Sequence, residues 1–218
     1  MRIDQYIDHT LLRPQATQEQ VWQICTEARQ YGFHAVCVNP VHASLVSHEL
    51  AASRVKTCVV VGFPLGAAPK EVKAFEARRA IQDGAVEIDM VINIGALKEG
   101  RYDVVEDDIR AVVKTADGKA LVKTIIECCY LTDQEKIMAC EIAVKAGASF
   151  VKTSTGLGSS GARLEDVLLL RQTLGDRVGI KAAGGIRDYE TARAMIEAGA
   201  DRLGTSSGVE IVKQALLV

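Results

Sequence analysis

Long apolar runs are missing from this 218-residue sequence. The richest stretch, around Cys58–Leu65, falls far short of the ~20 residues a membrane helix needs, so no membrane partner is expected. An excess of one charge is missing too. With 26 basic and 28 acidic side chains, a formal net charge of -2 and no Lys/Arg block, nucleic acid is not expected as a partner either. The opening Met1-Arg2-Ile3-Asp4-Gln5-Tyr6 carries an acid where a signal peptide would carry an apolar run, which argues against secretion. No linker or low-complexity tract interrupts the chain, so residues 1–218 read as a single domain. The six cysteines Cys25, Cys37, Cys58, Cys128, Cys129 and Cys140 form no C-x-x-C pair and no Cys/His cluster with zinc spacing. Reduced thiols, a cytoplasmic location and no bound metal follow as expectations.

What is present is an alternation. Short β-branched runs at Tyr6–Thr10, Ala35–Asn39, Thr57–Phe63, Val86–Asn93, Leu121–Glu127, Phe150–Thr155, Gly179–Gly184 and Arg202–Ser206 are separated by longer amphipathic stretches. That is the pattern of repeated βα units and a parallel sheet. Capping-box patterns at Thr17/Gln20, Thr132/Glu135 and Ser207/Glu210 mark helix starts. A weak repeat, Asp83-Gly84-Ala85, Lys145-Ala146-Gly147-Ala148 and Glu197-Ala198-Gly199-Ala200, marks helix ends, because glycine takes the left-handed conformation that stops a helix. Eight units of about 27 residues suit an α/β fold of the (β/α)₈ TIM barrel type. An open doubly wound sheet would gather its polar residues at one switch point, whereas here they are spread over most strands.

Side chains alternate faces along a strand, so one parity of each run points into the barrel. On that parity stand Asp8, Cys37, Asp89, Lys123, Lys152 and Lys181, where a covered strand would ordinarily carry Val, Ile or Leu. A structural ion-pair network would explain a single lysine. Two lysines on neighbouring strands, about 4.8 Å apart, disfavour double protonation, and a neutral amine in a dry pocket attacks carbonyls. Lys152 and Lys181 are therefore a candidate Schiff-base pair, with Asp89 and Lys123 available for proton transfer and charge balance. Ala182-Ala183-Gly184-Gly185-Ile186 after the seventh run and Gly204-Thr205-Ser206-Ser207-Gly208 after the eighth lie where such barrels hold a phosphate on bare amides and a helix N-terminus. The expected partner is a small molecule that carries a phosphate.

Gly156-Leu157-Gly158-Ser159-Ser160-Gly161 matches the dinucleotide pattern G-x-G-x-x-G, but it sits in the sixth unit and the following run ends in Lys181-Ala182 where a ribose-binding acid should stand. It reads instead as a mobile loop over the site, and no cofactor is expected. His9, His34, His42 and His48 show no pairing, and Trp22 is expected to pack its helix against the barrel.

Seven motifs in order resemble the deoxyribose-phosphate aldolases over essentially the whole chain. They are Ile7-Asp8-His9-Thr10-Leu11-Leu12, Val36-Cys37-Val38-Asn39-Pro40, Val61-Gly62-Phe63-Pro64-Leu65-Gly66, Glu87-Ile88-Asp89-Met90-Val91, Val151-Lys152-Thr153-Ser154-Thr155-Gly156, Ile180-Lys181-Ala182-Ala183-Gly184-Gly185-Ile186-Arg187 and Arg202-Leu203-Gly204-Thr205-Ser206-Ser207. The resemblance implies a metal-independent class I aldolase that interconverts 2-deoxy-D-ribose 5-phosphate with glyceraldehyde 3-phosphate and acetaldehyde in deoxynucleoside breakdown. It makes Lys152 the Schiff-base lysine, Lys181 the neighbour that keeps it reactive and relays protons, and Asp89 the acid/base acting through water. Asp8, Cys37 and Lys123 would line the sugar pocket, and Gly184, Gly185, Gly204, Ser206 and Ser207 would surround the phosphate. The chain departs from some relatives at Leu157, where they carry lysine, and in ending Ala215-Leu216-Leu217-Val218 without a tyrosine-bearing tail. The alternative within the same fold is a phosphosugar isomerase or synthase with no covalent intermediate, and a non-catalytic phosphometabolite-binding barrel is a third reading. The barrel's outer helices leave a homodimer or higher homo-oligomer open.

Overall fold

The computed structural model describes residues 2–217, in which the eight runs form eight parallel strands closed into a barrel in sequence order. The strands are β1 (Ile7–Leu11), β2 (Ala35–Val38), β3 (Lys56–Val61), β4 (Glu87–Val91), β5 (Leu121–Ile125), β6 (Phe150–Lys152), β7 (Gly179–Ala183) and β8 (Arg202–Thr205). Around them lie α1 (Gln18–Tyr31), α2 (Ala43–Leu50), α3 (Lys70–Gln82), α4 (Ile94–Lys98), α5 (Tyr102–Ala116), α6 (Asp133–Ala146), α7 (Leu164–Leu174), α8 (Tyr189–Glu197) and α9 (Gly208–Ala215). This is the (β/α)₈ barrel. Among the described residues no helix is long and apolar enough to cross a membrane.

Local chemistry accounts for most boundaries. Thr17 and Thr132 form reciprocal capping boxes with Gln20 and Glu135, satisfying amide groups that the first helical turn leaves unpaired. Gly84, Gly147 and Gly199 adopt φ of +97°, +88° and +111° before β4, β6 and β8, so the repeated helix-stop-strand reading holds. The third capping box does not form. Ser207 has φ -105° and ψ 28°, outside the extended region an N-cap serine needs, and its N–H donates to Thr205 Oγ1 at 2.9 Å.

The core has two parts. Outward residues of the strands, among them Val36, Val59, Ile88, Val122, Val151, Ile180 and Leu203, pack against the helices in one continuous cluster. Each such side chain, fully buried, contributes about 1.5–3 kcal/mol. Inside the barrel the apolar part is small: Ala35, Cys37, Cys58 and Val60, with Leu12 and Phe63 against them. The rest of the interior is ionic. Two expectations fail on the outside. Trp22 is 46% exposed, because α1 buries the narrow stripe Val21, Cys25 and Ala28, and residue 22 lies a quarter turn or so away. Three of the histidines do pair: His9 Nε2 is 2.7 Å from Glu27 Oε2 behind β1, with its ring packed on Phe33 at 5.0 Å between centroids, His34 Nε2 is 3.4 Å from Glu87 Oε1, and His48 Nδ1 is 3.7 Å from Glu49 Oε1.

Candidate active site

Every strand sends a titratable side chain into the barrel. Register sets them side by side: Asp89 of β4 lies opposite Lys123 of β5, Lys152 of β6 opposite Lys181 of β7, Lys181 opposite Arg202 of β8, and Cys37 of β2 opposite Cys58 of β3. Parallel pairing in register is what carries residues tens of positions apart in sequence to hydrogen-bonding distance.

Asp89 is the centre of the cluster. Its Oδ2 accepts from Lys152 Nζ at 2.8 Å and from Lys181 Nζ at 2.7 Å, while its Oδ1 accepts from Lys123 Nζ at 2.8 Å and from the Cys58 thiol at 3.2 Å. Lys181 also donates to Asp8 Oδ2 at 2.5 Å. Toward the N-terminal end of the strands, Arg202 donates through Nη1 to Asp8 Oδ1 at 2.9 Å and through Nη2 to Glu87 Oε1 at 2.7 Å, and Lys123 Nζ lies 2.6 Å from Glu87 Oε2. The Phe150 ring supports the guanidinium at 5.8 Å and lies over Gly179, where a Cβ would stand 2.3 Å from the ring.

Burial disfavours all these charges, so the pairing decides their states. Desolvation would raise Asp89, but Lys123, Lys152 and Lys181 together hold it well below the ordinary carboxylate range. Desolvation likewise opposes the lowering of Asp8 by Lys181, Lys123 and Arg202, which nevertheless prevails. Lys181, despite burial, is held well above the lysine range by Asp8 and Asp89, and Lys123 by Asp89 and its other anionic neighbours. Glu87 is pushed up by burial. Asp89 is therefore a fixed carboxylate, and Lys123 and Lys181 are fixed cations. Of the three lysines, Lys152 keeps 2% exposure against 0% for the other two and is the last residue of β6, at the strand end that faces the C-terminal mouth.

The other expected residues divide by depth. Gly184 is half-buried, Gly185 and Ser206 are exposed and Ser207 is half-buried, all in the loops at the C-terminal ends of β7 and β8. Gly204 is not with them. It lies inside the barrel, where a Cβ would come within 3.1 Å of Lys181 Cε and 2.9 Å of Ala183 Cβ, so its bareness makes room for the lysine stem. Cys37 lies on the apolar side of the interior, packed with Cys58 and Val60. The groups Cys37, Cys58, Asp89 and Asp8, Cys58, Glu87 each bring ligand atoms within 4.8 Å of one another, as a metal site requires, but ammonium groups already occupy the carboxylate oxygens.

The loop over residues 156–161 is anchored at both ends, while Gly156, Leu157, Ser159 and Ser160 are exposed. Glu127, left-handed at φ +54°, accepts from the Thr155 N–H at 3.2 Å and from its hydroxyl, and Ala162 N–H donates to Ala183 O and Gly184 O, both at 3.0 Å. Gly161 packs so closely on β7 that a Cβ would lie 2.2 Å from Gly184 O. Glu87, Arg202 and Glu127 were missed from the sequence. Glu87 and Arg202 share the inward parity of Asp89 and Gly204, so the parity test could have found them, whereas nothing local marks Glu127.

With this geometry, the comparison with known proteins is decisive. The family described as DeoC/LacD family aldolase matches residues 2–214. The chain belongs to that family. A deoxyribose-phosphate aldolase of Clostridium tetani is 62% identical over 215 residues, covering 99% of this chain and 100% of that protein. One from Thermococcus gammatolerans is also 62% identical, over 218 residues, covering 99% of this chain and 97% of that protein. Among solved structures, the tetrameric deoxyribose phosphate aldolase of Aeropyrum pernix superposes with a TM-score of 0.93 at 36% identity, covering 99% of this chain and 92% of that one.

Proposed function

We propose that this chain is a class I aldolase that cleaves 2-deoxy-D-ribose 5-phosphate reversibly to D-glyceraldehyde 3-phosphate and acetaldehyde, with Lys152 as the Schiff-base nucleophile. The observation that carries the reading is the sharing of one Asp89 oxygen by Lys152 and Lys181 inside the barrel, with only Lys152 reaching the mouth. The interior holds four cations, Lys123, Lys152, Lys181 and Arg202, against three carboxylates, Asp8, Glu87 and Asp89. One proton is surplus. Lys181 and Lys123 each hold two carboxylates close and Arg202 spans two, whereas Lys152 pairs with Asp89 alone, so it is the amine that can leave its partner without baring a carboxylate.

The freed Lys152 amine adds to the C1 aldehyde of the open-chain sugar, and loss of water gives an iminium, the electron sink for cleavage. As a base takes the proton of the C3 hydroxyl, the C2–C3 bond breaks, its electrons pass into the iminium and glyceraldehyde 3-phosphate leaves. The enamine left on Lys152 is protonated at C2 and hydrolysed to acetaldehyde and free amine. Asp89 stays ionised throughout, which suits it to balance the iminium charge and orient a water rather than to donate a proton itself. Lys181, bridging Asp8 and Asp89, is the proton-bearing group that shares an Asp89 oxygen with Lys152. The sugar phosphate is read as binding at Gly184, Gly185, Ser206 and Ser207, where loop amides and the first turn of α9 face the mouth.

The rival isomerase or synthase reading needs no covalent bond. Incubation with acetaldehyde and borohydride, followed by peptide mapping, separates them: the aldolase gains the reduced two-carbon adduct on Lys152 and loses activity, and an unlabelled Lys152 overturns the reading.

A further inference from the structure

Arg202 stands at the opposite end of the barrel from the mouth, and its side-chain hydrogen bonds go to Asp8 and Glu87 rather than to Lys152 or Asp89. It is nevertheless a cation inside the barrel. Burial lowers it, but a guanidinium starts so high that it stays charged. We propose that Arg202 is a positioning residue whose fixed charge, transmitted through Asp8 and Glu87, sets the pH at which Lys152 becomes a nucleophile. The inference rests on the Schiff-base reading and deepens it.

Charge is counted over the barrel interior, with one half-exposed group at its N-terminal edge, His34, whose Nε2 lies 3.4 Å from Glu87 Oε1. The inward titratable groups are Asp8 on β1, Cys37 on β2, Cys58 on β3, Glu87 and Asp89 on β4, Lys123 on β5, Lys152 on β6, Lys181 on β7 and Arg202 on β8. All are buried. With Arg202 present the cluster carries one charge too many, and expelling the Lys152 proton neutralises it. With Arg202 replaced by a neutral side chain, three lysines match three carboxylates, and keeping the Lys152 proton becomes the neutral state. Arg202 also has a geometric route to the site. It holds Asp8 Oδ1 at 2.9 Å, Asp8 Oδ2 holds Lys181 at 2.5 Å, and Lys181 shares Asp89 Oδ2 with Lys152. Removing Arg202 frees Asp8 to draw Lys181 away from Asp89, which would then bind the Lys152 proton more tightly. Both routes act in the same direction.

The test is the pH dependence of imine trapping on Lys152 with acetaldehyde and borohydride, read by mass spectrometry on full-length protein whose fold is checked by circular dichroism. Arg202→Gln should move the profile upward by about one pH unit, roughly a tenfold loss of trapping rate at neutral pH. Arg202→Lys, which restores the charge, should return most of it. Glu87→Gln removes an anion from the same end of the barrel and should move the profile downward. The double variant Arg202→Gln/Glu87→Gln has the wild-type surplus of one cation and should return toward the wild-type profile. A role confined to packing predicts that the double variant is at least as impaired as Arg202→Gln and that Glu87→Gln gives no downward shift; either result overturns the proposal, as does an Arg202→Gln profile that superimposes on wild type. If Arg202→Gln does not fold, Glu87→Gln decides alone: a downward shift supports the proposal and any other result overturns it. Failure of wild type to label Lys152 at any pH would instead overturn the Schiff-base reading itself.

Discussion

Lys181→Leu separates two ways in which the second lysine can serve the first. Lys152 and Lys181 bind one Asp89 oxygen at 2.8 and 2.7 Å, which puts their nitrogens roughly 4 Å apart. Two unit charges at ~4 Å interact by about 4 kcal/mol at an effective dielectric constant of 20, equivalent to about three pH units of protonation. Measured shifts from a neighbouring charge run about one to three units, so imine formation in the variant should move upward by about two units and fall roughly a hundredfold at neutral pH. The protein should still fold. Asp8 keeps Arg202 at 2.9 Å and Asp89 keeps Lys123 and Lys152 at 2.8 Å, so no carboxylate is orphaned and urea unfolding should register a loss of only about 1–3 kcal/mol. Trapping rates across pH supply the assay. A profile that coincides with wild type while turnover collapses would refute the charge argument and assign Lys181 to direct proton transfer.

Two further outcomes follow from the buried charges. Lys73, wholly buried on α3, donates to Asp108 Oδ2 of α5 at 2.6 Å and to Val91 O at the end of β4 at 2.8 Å; Asp108→Ala strands that ammonium and should cost about 3–5 kcal/mol in urea unfolding, and a loss under about 1 kcal/mol would contradict the pairing. Asp89 and Asp8 are both depressed below the ordinary value of 3.8, so their stabilisation is complete above that pH and is lost as pH falls through their folded-state values. Unfolding free energy should drop steeply below about pH 4, and less steeply in Asp89→Asn; equal slopes would show that Asp89 carries no such linkage.

The barrel was legible in the chain because strand and helix signals are local: β-branched runs, two of three capping boxes and glycine stops lie within a few residues of the boundaries they set. Lys152, Lys181, Asp89, Lys123 and Asp8 were legible because alternation along a strand is also local, and a charge on the inward parity stands out against Val, Ile and Leu. Trp22 and Ser207 went wrong where the outcome turned on details of backbone geometry and helix rotation that residue type does not encode. What only the folded barrel decided is partnership. Which carboxylate holds which lysine, that Gly204 clears space for Lys181 instead of facing the mouth, that Arg202 closes the far end on Asp8 and Glu87, and that Glu127 pins Thr155 all depend on register between distant segments. Sequence sets the charges one strand at a time. Only closure of the sheet brings four cations and three carboxylates into one water-poor volume, where each is held by partners from other strands.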